Sequence, residues 1–364
     1  MKPFGEGEPG GAYLRNPYPA LERLRDETPR YYSPAYNAWF FSLRTDIEML
    51  LRDDRLQITR SSSFADHSPK FRAAVAIALR AWFSSPTPAV TDAVNAVAEE
   101  CVSRLTRKTE ADLVDDVAQY LPCNIMAKLL GIPAADLPPL QRLSNEVLQS
   151  FDFEWDDKRK VELARASLPI YFRNHWRSAL DTPLLRLLRD VQGACDLPDS
   201  SMVDVCSKLF TAGTTTTAGC FANILARLVD APADENIAIT VENLEDLLRA
   251  DTPILAVKRT VSEPIRIGEV VLNPGQIIYL MIGAAHREAE PSRQGRGSIL
   301  TFGLGRYYCI GAVLARLELR ALIEKIAPLA PRFQLAAPIV WRNSWLVHEA
   351  RSISVMINEA KHAD

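Results

Sequence analysis

Apolar residues return at helical spacing through most of this chain, and at strand spacing in only a few short runs. The three-and-four pattern predicts helices over 16–25, 45–52, 71–83, 88–105, 112–130, 137–150, 157–180, 204–230 and 244–249. Thr45 is placed to cap the second of these, and a Gly stop with a following Pro closes the fifth at LLGIP, residues 129–133. The helix over 204–230 has little polarity at its centre and is expected to be buried. Residues 31–43 alternate aromatic and polar positions as a hairpin does. From 257 the period changes. VKRTVSEPIRIGEVVLNPGQIIYLMI carries β-branched runs broken by turns at 267–269 and 273–275, and 333–357 supplies more short strands. The Ser-rich stretch 58–69 reads as a loop. The pattern therefore describes a mainly α fold with small β sheets, a flexible lead over 1–15 and a single domain over 16–364.

One stretch stands apart from this regular patterning. TFGLGRYYCIG, residues 301–311, places Cys309 at the end of a Gly-punctuated turn, with an Ala-, Leu- and Arg-rich helical run directly after it. Gly303 and Gly305 let the backbone turn tightly and run close to a flat partner, and Gly311 removes bulk two residues past the sulfur. A helix starting near Cys309 would aim its unpaired N–H groups at that sulfur and favour a thiolate. With Phe302 beside it, such a thiolate suits a cysteine that ligates haem iron. The competing reading is a buried structural cysteine in a Gly turn.

Composition narrows the classes without choosing among them. The 364 residues are 48% hydrophobic and 24% charged, which sustains a sizeable core. A net charge of −3 argues against a general nucleic-acid binder. No N-terminal apolar run approaches the ~20 residues of a membrane span, and MKPFGEGEPGG is neither a signal peptide nor a lipid anchor. The six cysteines lie far apart with no C-x-x-C pair and read as reduced, cytoplasmic thiols.

The pattern F-G-x-G-x-x-x-C-x-G followed by A-V-L-A-R-L-E (312–318) resembles the haem-binding loop and following helix of the cytochrome P-450 superfamily. The resemblance extends over nearly the whole chain and implies that family's fold, with haem b held by Cys309. It gives meaning to Ala212-Gly213-Thr214-Thr215-Thr216-Thr217. On their own, these threonines describe a loosened buried helix whose hydroxyls bond back to backbone carbonyls. In the family's register the helix bulges above the iron here. Thr216 then matches the alcohol that helps deliver protons, and Thr215 stands where the family has Asp or Glu. A carboxyl relays protons from solvent, whereas a threonine hydroxyl only passes one along.

The same resemblance aligns Asp246-x-x-Arg249 with the family's Glu-x-x-Arg pair, with Glu245 a second acid at i, i+4 from Arg249. It places Arg259 and Tyr307 as donors to a haem propionate, with Arg72 or Arg80 serving the other propionate. The segment 287–301 is shorter than its family counterpart. Arg80, Arg306, Arg316 and Arg320 are candidates for a basic face that receives an acidic ferredoxin. Trp341, Trp345 and Leu346 pack on the sheet or line a pocket. The implied function is a haem-thiolate tailoring monooxygenase or oxidative cyclase acting on a hydrophobic small molecule of natural-product biosynthesis. Ferredoxin and its reductase, or peroxide, would drive it. The alternatives are peroxide-driven or redox-neutral rearrangement chemistry, or a binding module of the same fold for a carrier-linked substrate.

Overall fold

The computed structural model describes residues 9–58, 69–152, 158–178, 180–230, 237–288 and 299–359. Helix α1 (Gly11–Arg15) lies inside the expected flexible lead. It is held there because the Tyr13 hydroxyl donates to the Trp345 carbonyl at 2.7 Å and the two rings pack at 4.7 Å. α2 (Tyr18–Glu27) opens on Pro17 and buries Leu21 and Leu24. Strands β1 (Arg30–Ser33) and β2 (Ala38–Phe41) form the expected antiparallel hairpin. In α3 (Arg44–Leu51) the cap differs from expectation. Thr45 lies inside the helix, and the Arg44 N–H is taken instead by the Glu288 carboxylate at 2.8 Å.

After β3 (Leu56–Gln57) come α4 (Pro69–Ser84) and α5 (Pro88–Leu105). The loop expected at 58–69 falls almost wholly outside the described residues. The single helix expected over 112–130 divides into β4 (Glu110–Asp112), a π turn at Val114–Ala118 and α6 (Tyr120–Leu130). Strand pairing overrides helical periodicity here. β4 pairs with the C-terminal strand, and the Asp112 carboxylate takes the Val114 N–H at 2.8 Å. α7 (Leu137–Gln149) and α8 (Lys158–Ser178) follow the expected spans. α9 (Pro183–Ala194) was not anticipated. Its signal is present in the sequence: Thr182 caps the Leu185 N–H, Pro183 takes the first turn, and Leu184, Leu185 and Leu188 are buried.

α10 (Asp199–Val229) is the axis of the helical layer and packs against α6, α7 and α8. It runs as one unbroken α-helix, so the expected bulge at Ala212-Gly213 does not form. Thr214, Thr215 and Thr216 each return a hydroxyl to a carbonyl one turn back, which leaves the helical ladder intact. α11 (Leu244–Ala250) leads to the main sheet, formed with β5 (Val257–Val261) and β8 (Ile277–Leu280) in the order β1-β2-β8-β5-β3, while β6 (Ile265–Ile267) and β7 (Val270–Leu272) make a separate hairpin. β2 and β8 run parallel and are buried on both faces. Phe40 stacks on Tyr279 at 5.0 Å on one side, and Phe41 joins Ile278 and Leu280 in the core of the other. α12 (Ile282–His286) and α13 (Ala312–Ile326) flank the cysteine loop. β9 (Phe333–Leu335), β10 (Val340–Trp341), β11 (Ala350–Ser352) and β12 (Ser354–Ile357) complete the chain. Among the described residues no helix is long and apolar enough to cross a membrane.

Candidate active site

The Cys309 loop is tied at both ends by main-chain bonds. The Gly303 N–H donates to the Leu300 carbonyl, and the Cys309 N–H to the Phe302 carbonyl, both at 2.8 Å. Gly303 and Gly305 have φ of +68° and +66°, a conformation that side chains rarely adopt. Their surroundings differ. A Cβ on Gly305 would lie 2.8 Å from the Leu51 carbonyl oxygen and 3.1 Å from the Arg52 Cα, whereas one on Gly303 would meet only the Tyr307 carbonyl oxygen at 3.5 Å. Gly305→Ala is therefore expected to cost clearly more than Gly303→Ala, which pays only the left-handed backbone penalty of about 1–2 kcal/mol. Urea unfolding of the two variants measures this. Equal losses would mean that the loop does not lean on the end of α3.

The helix after the loop starts at Ala312, three residues later than expected, with Gly311 as its N-cap. The sulfur thus lies ahead of the helix. Desolvation by the surrounding loop raises the Cys309 thiol above its ordinary value, opposed by the Gly311 N–H and the Arg316 guanidinium. A bound metal ion would deprotonate the thiol outright. Cys309 is exposed, while Cys101, Cys123, Cys206 and Cys220 are buried in the core. Phe302 is buried under the loop, with the Arg316 guanidinium 4.4 Å from its ring centroid.

Three contacts that buttress the loop escaped the sequence reading. The Thr301 hydroxyl donates to the Leu248 carbonyl of α11 at 2.8 Å. The Leu300 N–H donates to His286 Nε2 at 3.0 Å, and burial, then the Arg249 and Arg44 cations, push that imidazole down to about 3, keeping it neutral. Arg316 of α13 closes a fork on Glu245 at 2.5 and 3.0 Å. Glu245 therefore ties α11 to α13. Asp246 and Arg249, both half-buried, remain in i, i+3 register on α11.

Arg259 on β5 extends over Tyr307, its guanidinium 5.1 Å from the ring centroid, and donates to the Lys258 carbonyl at 2.9 Å. Burial lowers its pKa, and no carboxylate among the described residues pairs with it. Arg72 lies on α4 with its side chain outside the described part. The expected basic face is partly neutralised. Arg316 is held by Glu245, Arg306 lies 3.7 Å from Asp54, and Arg80 donates to the Arg306 carbonyl. A cleft of about 370 Å³ opens there, in which Glu242 and Glu245 stand beside Arg316 and Arg320 over an apolar floor that includes Val313 and Leu317.

On α10, Ala212 is exposed and Thr216 and Thr217 are half-buried, while Thr214 and Thr215 are buried. The open face of this central helix is thus the Ala212/Thr216 face. The Thr216 hydroxyl donates to the Ala212 carbonyl at 2.9 Å, and the Thr215 hydroxyl to the Thr211 carbonyl at 2.8 Å. Gly213 serves close packing: a Cβ there would lie 2.8 Å from the Met126 sulfur of α6. Trp341 stacks on His348 at 4.7 Å, and Leu346 is buried in the core beside α2.

No protein-family profile matches the chain. Curated relatives do. Cytochrome P-450 109 of Bacillus spizizenii is 25% identical over 350 residues, covering 88% of this chain and 86% of its own. The cyclomarin C epoxidase CymV of Salinispora arenicola is 26% identical over 358 residues, covering 92% and 89%. Among solved structures, the epothilone B-bound cytochrome P-450 epoK superposes with a TM-score of 0.81 at 21% identity, over 99% of this chain and 100% of its own.

Proposed function

We propose that this chain, a divergent member of the cytochrome P-450 superfamily, would hold haem b through the thiolate of Cys309 and oxidises a hydrophobic small molecule of natural-product biosynthesis. The observation that carries the reading is the exposed Cys309 in a loop braced by α11, α12 and α13. The residues present fit the group. Among the described residues no three His, Cys, Asp or Glu side chains gather to hold a metal ion. A single thiolate suits an iron that arrives with its own four ring nitrogens. The half-buried Arg259, without a carboxylate, suits a propionate, with Tyr307 beside it as a neutral donor. Arg72 is the candidate for the second propionate.

Bound haem supplies oxygen activation, and its thiolate ligand favours O–O cleavage. The chain's own residues do the rest. Phe302, Gly303, Gly305 and Gly311 hold the sulfur's loop in place. Ala212 and Gly213 keep α10 smooth, and Thr216 presents a hydroxyl on its open face. That hydroxyl can take a proton and pass its own onward. Ferredoxin and its reductase are the proposed electron donors, with the cleft beside Arg316 and Arg320 as their approach. The cyclomarin C epoxidase among the relatives supports a tailoring role.

Thr216→Val tests the assignment. It keeps the β-branched shape and removes only a half-buried intrahelical bond, so stability should change by less than ~1 kcal/mol. Peroxide released per reductant consumed should rise several-fold in a ferredoxin-driven assay, and turnover supported by added peroxide should fall less. Wild-type peroxide yield in the variant would remove Thr216 from the site.

A further inference from the structure

The structure assigns this site an acid from outside α10: we propose that Glu349 supplies the carboxylate that serves the Thr215 and Thr216 hydroxyls. The inference rests on the haem-thiolate reading and deepens it at one residue. Glu349 is 5% exposed and stands immediately before β11. Its main chain is fixed to α10 through Asn223, which accepts the Ala350 N–H at 3.2 Å and donates to the His348 carbonyl at 2.8 Å. There its Cβ lies 3.6 Å from where a Cβ on Gly219 would be. Its Oε2 lies 2.6 Å from where a Cβ on Gly219 would be. The glycine is the space the carboxylate occupies.

Gly219 stands three residues after Thr216 and four after Thr215. Such positions are neighbours on one helix face, roughly 5–6 Å apart at Cβ. A helical Cα–Cβ bond leans toward the N-terminus, so an atom at that point covers the preceding turn. That turn carries Thr215 and Thr216. The two carboxylate oxygens are used differently. Oε1 accepts from Arg342 Nε at 2.7 Å and lies 3.4 Å from the Arg351 guanidinium, while Oε2 receives no hydrogen bond among the described residues. Both threonine hydroxyls spend their protons on helix carbonyls, which leaves their lone pairs open to a donor. The Glu349 carboxylate can take a proton from solvent water and pass it to that pair directly or through one water. The receiving hydroxyl releases its own proton toward the open face, and the carboxylate is restored. The net change is one proton carried from solvent water to the open face of α10, with no electron transferred. The buried Thr215 and the half-buried Thr216 lie in that order from interior to opening.

A purely structural Glu349 would anchor the C-terminal strands through Arg342 and nothing more. Glu349→Gln separates the two, since the amide oxygen keeps the Arg342 contact. With thiolate-type haem loading unchanged, the expected result is a shifted C–O stretch of bound carbon monoxide. Peroxide per reductant should also rise at least threefold in substrate-free turnover. Adding Thr215→Glu to that variant should bring both readings back toward wild type. Should Glu349→Gln fail to load haem, Gly219→Ala displaces Oε2 while sparing the arginine pair, and the same two shifts are expected. Wild-type stretch and peroxide yield in the variant that loads haem, or no rescue by Thr215→Glu, would overturn the proposal. Loss of the thiolate spectrum in the wild-type protein would instead overturn the haem-thiolate reading.

Discussion

Cys309→Ser protein is expected to fold and to lose most of its haem, or to retain it with an altered spectrum. The loop does not depend on the sulfur for its shape. It is held by main-chain bonds from Gly303 and Cys309, by Thr301 on α11 and by Leu300 on His286. Serine preserves all of these, so urea unfolding should move by less than ~1 kcal/mol. An alcohol is nevertheless a poor replacement for a soft thiolate on iron. Haem content per chain should fall several-fold, and residual haem should lack the thiolate Soret position. A variant with full haem content and an unchanged Soret band would show that another residue ligates the iron.

Arg227→Ala is expected to be the most damaging single change to stability. The Arg227 guanidinium forks onto Asp251 at 2.7 and 2.8 Å, and the two side chains are only 4% and 12% exposed. Truncating the arginine strands a buried carboxylate, a loss of about 3–5 kcal/mol. The pair joins the last turns of α10 to the residue that ends α11, and Asn223 beside it bonds the Asp251 carbonyl at 3.3 Å. The damage should therefore spread to the cysteine loop that α11 supports. The double variant Arg227→Met with Asp251→Leu removes both charges and should cost less than Arg227→Ala alone. The denaturation midpoints at constant slope decide it. A loss below ~1 kcal/mol for Arg227→Ala would mean that the pair is solvated.

The helical layer was legible because its apolar stripes are long. The span predicted over 88–105 coincides with α5, and α10 follows the predicted span but begins five residues earlier and lacks the expected bulge. Where long-range bonds decide, local pattern misled. Asp112 and its neighbours pair with β12, so the apolar run over 112–130 could not remain one helix. Thr45 looked like a cap, yet the Arg44 N–H is taken by Glu288, 244 residues away in sequence. The loop containing Cys309 was legible because its cysteine stands alone among closely spaced glycines, two of which, Gly303 and Gly305, carry positive φ. Its supports were not. Both acids on α11 fall within reach of Arg249 by spacing, and only the approach of α13 shows that Glu245 belongs to Arg316. The missing acid at Thr215 was visible as a departure. The carboxylate against Gly219 arrives from 130 residues further along the chain, and no spacing rule connects the two.

The central claim is that Cys309 presents a thiolate to haem iron. The most direct test is the difference spectrum of the purified, reduced protein with carbon monoxide, recorded beside Cys309→Ser. The wild type should show the red-shifted Soret band of a thiolate-ligated haem, and the variant should lack it. A haem-loaded wild type whose band lies where histidine-ligated haems absorb, or the same thiolate band in Cys309→Ser, would contradict it.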